Sequence, residues 1–154
     1  MHKYGIILLV VLFGALGIDY RVSYSADKLE VKQKMIEQLF KEVPLKDGVK
    51  EITYEQFKKI SNSGEDYVLV DVLSPESYAK GHIGRAISFP NETINNKIAS
   101  AKLSQYSFVV VYCGGFQCHA STFAAKKLSE LGYKVFDYKG GLKEWQERGN
   151  TLVK

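Results

Sequence analysis

Arginine is scarce in this chain: Arg21, Arg85 and Arg148 stand against 18 lysines. Lysine supplies a point charge, whereas a guanidinium can grip an oxyanion through two parallel bonds, so few residues are available to build such a clamp. Basic residues form no dense stripe either. Both signs of charge are spread along the sequence and the net charge is +4, which leaves nucleic-acid binding without an electrostatic footprint. Only two cysteines and three histidines are present. No His/Cys set or pair of carboxylates falls at metal-ligand spacing, so neither a metal site nor a cofactor is expected. A membrane-spanning stretch is missing as well: the apolar run Gly5 to Ile18 has 14 residues, short of the roughly 20 that a spanning helix needs.

That run, preceded by His2 and Lys3 and ended by Asp19 and Arg21, has the dimensions of a signal-peptide core. Ser23-Tyr24-Ser25 places small residues before a cut ahead of Ala26, and Ala15-Leu16-Gly17 offers a second site. Residues 1–25 are therefore expected to be removed on export to the periplasm or the medium, leaving no stable membrane span. An uncleaved N-terminal anchor is the alternative. Export permits disulfides, and the two cysteines, Cys113 and Cys118, would both remain in the mature chain.

What remains, with 45% hydrophobic and 25% charged residues overall, has the composition of one globular domain. Residues 26–48 read as an amphipathic helix and a linker: Leu29, Met35, Ile36, Leu39, Phe40 and Val43 share a face over 28–43, and Pro44 and Gly48 end the segment. This helix is expected to pack on the domain, with docking of a partner protein through 28–43 as a second option. From residue 49 to 154, strand and helix signals alternate. Thr53 and Gln56 make a capping box, and Ser74-Pro75-Glu76 starts another helix. Strands are expected at Tyr67–Val72, Ala86–Phe89, Phe108–Tyr112 and Val135–Tyr138, and helices at Thr93–Leu103 and Leu142–Arg148. Short apolar strands separated by helices predict a parallel α/β sheet covered on both faces.

The segment Cys113-Gly114-Gly115-Phe116-Gln117-Cys118 follows the most apolar of these strands and runs into a helix starting near His119. A strand feeding a glycine loop and a helix N-terminus is an anion-binding geometry. Its amides, from Gly114 through Gln117 to His119, favour a thiolate at Cys113 and hence a nucleophile. The structural alternative is a small buried side chain. Ligands of such sheets sit beyond the carboxyl ends of the strands, where Cys113 lies.

Asp71-Val72, Ser74-Pro75-Glu76-Ser77-Tyr78 and Gly81-His82-Ile83 resemble the N-terminal signature of the rhodanese family. Tyr112-Cys113 with its loop, Gly140-Gly141-Leu142 and Trp145 resemble its active-site and C-terminal signatures. The resemblance covers about residues 50–150. It implies a rhodanese-like fold, about five strands and mainly parallel, with helices on both faces. It further implies a sulfurtransferase whose cysteine, here Cys113, carries sulfane sulfur as a persulfide between a small donor (polysulfide, persulfide or thiosulfate) and a thiol or cyanide-like acceptor. Counting Cys113 as first, Cys118 is sixth, which matches the sulfur-handling class rather than the related seven-residue phosphatase loops. Many members place arginine at that sixth position. Leu73 replaces another common arginine, and Gly84-Arg85 stands where Pro-Gly is usual.

Those departures leave Arg85 as the expected arginine of the pocket, because Arg148 belongs to the last helix, and weak activity with thiosulfate follows. Cys118 is either a resolving thiol, which would displace sulfide from a Cys113 persulfide and leave a disulfide, or a structural residue. His119, if protonated, could lower the Cys113 pKa. Asp71, His82 and Trp145 are expected to be structural: Asp71 holding backbone at a strand end, His82 fixing the loop after a short helix, Trp145 packing on the sheet. Two other readings stay open, a dithiol oxidoreductase using Cys113 and Cys118 and a non-catalytic binding module.

Overall fold

The computed structural model describes residues 35–154. The signal-peptide reading of 1–25 and the first part of the 28–43 helix lie outside the described residues. A helix that includes residues 35–42 (α1) leads into β1 (Lys50–Ile52), α2 (Tyr54–Ser63), β2 (Tyr67–Asp71), α3 (Pro75–Lys80), β3 (Ile87–Ser88), α4 (Asn96–Leu103), β4 (Phe108–Tyr112), α5 (Ala120–Glu130), β5 (Val135–Tyr138) and α6 (Gly141–Glu147). The five strands form one sheet in the order β1-β5-β4-β2-β3, and every pairing is parallel. This is the helix-covered α/β sheet that the alternating apolar strands call for.

Strand alternation divides the core in two. Val68 and Val70 of β2, Val109 and Val111 of β4 and Val135 of β5 face Ala99 and Leu103 of α4 and Ala124, Ala125 and Leu128 of α5. Leu69, Phe108, Val110, Tyr112, Phe136 and Tyr138 point the other way, toward Ile36, Phe57 and Ile60 and the half-buried Leu142 and Trp145. The described part of α1 turns its apolar side to the sheet, with Phe40 set edge-on to Phe136 at 5.2 Å. The linker takes the form of a tight turn. Lys46 and Val49 exchange backbone bonds of 2.8 and 3.0 Å around Asp47 and Gly48, both at positive φ.

The capping signals read from the sequence are present. Thr53 Oγ1 accepts from the Gln56 amide and Gln56 Oε1 from the Thr53 amide, and Ser74 caps α3. The strand expected at Tyr67–Val72 ends at Asp71, the last helix is shifted by one residue, and two elements differ more. The expected helix from Thr93 is a 3-10 turn, Asn91–Thr93, followed by α4, because Asn95 Oδ1 takes the Ile98 amide and sets the helix start later. Strand β3 keeps only two residues, since the Ala86 amide is already bonded back to Ile83.

Candidate active site

The alternation that builds the core also aims the cysteine. Cys113 continues the Val109, Val111 series and so points toward α5, where it is fully buried, at 0% exposure. Its sulfur lies 3.3 Å from the hydroxyl oxygen of Ser121, the second residue of α5, and 3.3 Å from the Cys118 carbonyl oxygen. One thiol proton can serve only one of those acceptors at a time. Residues 113–119 form the loop between β4 and α5, closed by the Cys118 amide donating to Gly115 O at 2.8 Å.

The last helix holds this loop from the other side. The Leu142 amide donates to Cys113 O at 2.9 Å and the Lys143 amide to Gly114 O at 3.0 Å. Gly141, at φ +54°, permits that approach: a Cβ there would overlap the Cys113 carbonyl and crowd the Gly115 amide. Beneath the loop, Lys139 Nζ donates to Cys118 O at 2.7 Å and to Thr122 Oγ1 at 2.9 Å, and Thr122 Oγ1 donates to Asp137 Oδ2 at 2.9 Å. Outside, Gly114, Gly115, Phe116, Gln117, Cys118 and Lys143 line a depression of about 530 Å³.

Burial dominates the electrostatics. It pushes the Cys113 thiol up, and the neighbouring Cys118 thiol acts in the same direction; the Ser121 hydroxyl and the Ser121 and Gly115 amides pull it down without overcoming that. The sequence expectation of a resting thiolate is therefore corrected. Of the loop amides, that of Gly115 acts on the sulfur while that of Cys118 is bonded to Gly115 O, and the full burial of Cys113 favours the thiol as the resting form. Both cysteines are free; Cys118 is half-buried.

The other residues singled out from sequence fall in different places. Phe116 is 56% exposed, and Gln117 and His119 are exposed too. His119 precedes α5 without a side-chain cap bond. Arg85 is not brought to the loop. It precedes β3 at the amino ends of the strands, where its charge acts on Tyr67, the first residue of β2, while Cys113 sits at the carboxyl ends. Arg148, set aside as remote, lines the neighbouring depression with Phe116 and Lys139 but is paired with Glu55 and Glu144, each at 3.2 Å. Asp71 is buried on the opposite face of the sheet and accepts the Leu73 amide at 2.9 Å. His82 stacks on Tyr78 at 3.8 Å and joins Val153 through two backbone bonds. Trp145 packs against Phe57 and donates to Thr151 O. No group of three or more His, Cys, Asp or Glu able to hold a metal occurs among the described residues.

Sequence reasoning missed Ser121, Asp137, Lys139 and Lys143. Asp137 left a signal, an acid inside the otherwise apolar strand Val135–Tyr138. Ser121 left none, because its contact with Cys113 depends on how α5 seats on the sheet.

Comparison with known proteins agrees with this geometry. Residues 53–148, more than half of the chain, match the rhodanese-like domain. The chain belongs to the rhodanese-like family. It is 34% identical over 98 residues to a protein named thiosulfate sulfurtransferase GlpE from Stutzerimonas stutzeri, covering 63% of this chain and 84% of that one. It is 36% identical over 75 residues to thiosulfate sulfurtransferase PspE of Escherichia coli, covering 49% and 70%. Among solved structures, the BH2092 protein of Bacillus halodurans superposes with a TM-score of 0.62 at 27% identity, over 80% of this chain and 84% of that one. The rhodanese-like domain of Alr3790 from Anabaena sp., with a TM-score of 0.58 and 24% identity over 67% and 77%, shares the fold.

Proposed function

We propose that this rhodanese-like protein is a sulfurtransferase that carries sulfane sulfur on Cys113 and works outside the cytoplasm. The carrying observation is the placement of Cys113, at the carboxyl end of the central strand, with its carbonyl held by α6 and its sulfur facing the Ser121 hydroxyl and two backbone amides. In the first half-reaction the Cys113 thiolate attacks the outer sulfur of a donor, forming Cys113–S–S⁻ and expelling the donor's thiolate or sulfite. In the second, an acceptor thiolate or cyanide takes that outer sulfur and Cys113 leaves as thiolate. Because the sulfur is buried, the donor reaches it when residues 114–118 move aside. We favour a persulfide or polysulfide over thiosulfate as donor. Lys143 is the one cation lining the loop depression, and it offers no guanidinium fork for a sulfonate-like group.

The test is intact mass after donor treatment. Wild-type protein gains one sulfur atom, and Cys113→Ser gains none. Absence of a gain with polysulfide, glutathione persulfide and thiosulfate alike overturns the reading.

The Cys113 sulfur lies 3.3 Å from the Cys118 carbonyl oxygen and both cysteines are free, which favours a second step. Attack of Cys118 on the inner sulfur of the persulfide would release hydrosulfide and leave a Cys113–Cys118 disulfide, which an external thiol returns to the dithiol by exchange. Under this reading Cys118→Ser keeps its loaded sulfur while wild type releases sulfide. Equal release from both proteins removes the step. Export is tested separately, by locating the mature N-terminus in the native host.

A further inference from the structure

The carboxyl of Asp137 is buried, at 0% exposure, in the middle of an apolar strand. An unpaired charge in such a place is costly, so a buried carboxyl is expected to be neutralised or given work. Strand register explains its position. Asp137 pairs with Val111 in the parallel ladder and shares the sheet face of Val135, so it points to α5 alongside Cys113. Its Oδ2 accepts from Thr122, while Oδ1 is buried and makes no hydrogen bond among the described residues. Ser121, itself at 0% exposure, accepts from the Cys113 thiol through its oxygen, and its hydroxyl also acts on the Asp137 carboxyl. The Cys113 bond leaves the hydroxyl proton of Ser121 unused, and Asp137 Oδ1, on the same face of the sheet, is the oxygen of that carboxyl without a donor.

We propose that Asp137 is the internal proton acceptor for Cys113, reached through the Ser121 hydroxyl. The Cys113 S–H bond breaks and its proton passes to Ser121 Oγ as the Ser121 hydroxyl proton passes to Asp137 Oδ1. The products are a Cys113 thiolate, a neutral serine and a carboxylic acid. One negative charge exists before and after, so the buried site never holds two. Ser121 touches the reacting sulfur, and Asp137 acts on it through Ser121. The inference rests on Cys113 as the nucleophile and deepens that reading.

The surroundings suit an acid that changes state. Burial raises the Asp137 pKa, and the Ser121 and Thr122 hydroxyls and the Lys139 charge pull it back. Glu51 of β1 pushes it up, and Lys46 across the turn feels its charge. Burial likewise raises Cys113. Under this proposal the two protons belong to one pair joined through Ser121, and a fixed minority of thiolate–acid tautomer is expected between its two titrations.

That tautomer gives the experiment its shape. In a Cys118→Ser background, alkylation of Cys113 by iodoacetamide is followed from mildly acidic to mildly alkaline pH. With Asp137 present, the rate is expected to run level across the acidic to neutral part, because the proton is stored inside. In Asp137→Asn the thiolate must come from loss of a proton to solvent, so the rate falls about tenfold for each pH unit. Ser121→Ala is expected to show the same slope, and Ser121→Thr to restore the level stretch. The proposal is overturned if the reference protein has no level stretch, or if Asp137→Asn merely scales the rate by one factor at all pH. Faster alkylation in Asp137→Asn also overturns it, because a plain negative neighbour would suppress the thiolate. If Asp137→Asn does not fold, the two Ser121 variants decide. A protein that accepts no sulfur yet shows the level stretch would remove the transferase reading and leave this one standing.

Discussion

The Leu142 amide donates to the Cys113 carbonyl at 2.9 Å, so the helix that ends the fold is bonded to the residue that begins the active loop. Gly141 makes that approach possible, and the site depends on a glycine far from it in sequence.

Gly141→Ala is expected to damage both stability and sulfur loading. The left-handed φ alone costs roughly 1–2 kcal/mol for a residue with a Cβ, and here the Cβ would also strike the Cys113 carbonyl. Gly149, at φ +78° with nothing within 4 Å, is the control. Gly149→Ala should lose only the backbone part, and urea midpoints with sulfur loading by mass separate the two.

Lys139→Met removes the ammonium that bonds Cys118 O and Thr122 Oγ1. A charge-assisted bond of this kind contributes about 1.5–3 kcal/mol. Amide exchange should rise in residues 114–119 while β4 stays protected. With the positive neighbour gone, the Asp137 carboxyl moves further up. Unchanged exchange in the loop would show that Lys139 does not hold it.

Asp71 makes stability depend on pH. Burial raises its carboxyl above the ordinary 3.8, outweighing the Leu73 amide that favours the charge. Between the unfolded and folded titrations the native state binds more protons, so stability falls as pH rises through the window starting near 3.8 and extending above it. Asp71→Asn, which keeps an acceptor for Leu73, should flatten that fall in urea midpoints taken across the window. A decline as steep as in wild type would mean that other groups cause it.

Much of the fold was legible because local chemistry and apolar periodicity agree. Strands β4 and β5 begin and end where the sequence places them, and the Thr53–Gln56 box caps α2. The later start of α4 was not legible, because Asn91, Asn95 and Asn96 all offer capping side chains and only packing selects Asn95. At the site, Cys113 and its glycines were visible as a strand–loop–helix junction. The resting thiol was not, since burial depends on what covers the sulfur.

The sequence by itself determined the family, the parallel α/β architecture and the choice of Cys113, because these follow from residue type, order and spacing. Tertiary structure alone decided which groups meet the sulfur. It set Arg85 at the far end of the sheet, bonded α6 to the loop, put Ser121 beside Cys113 and placed Asp137 on the same sheet face. The reason is geometric: strand register and helix seating bring together residues from β4, α5 and β5 that no local pattern links.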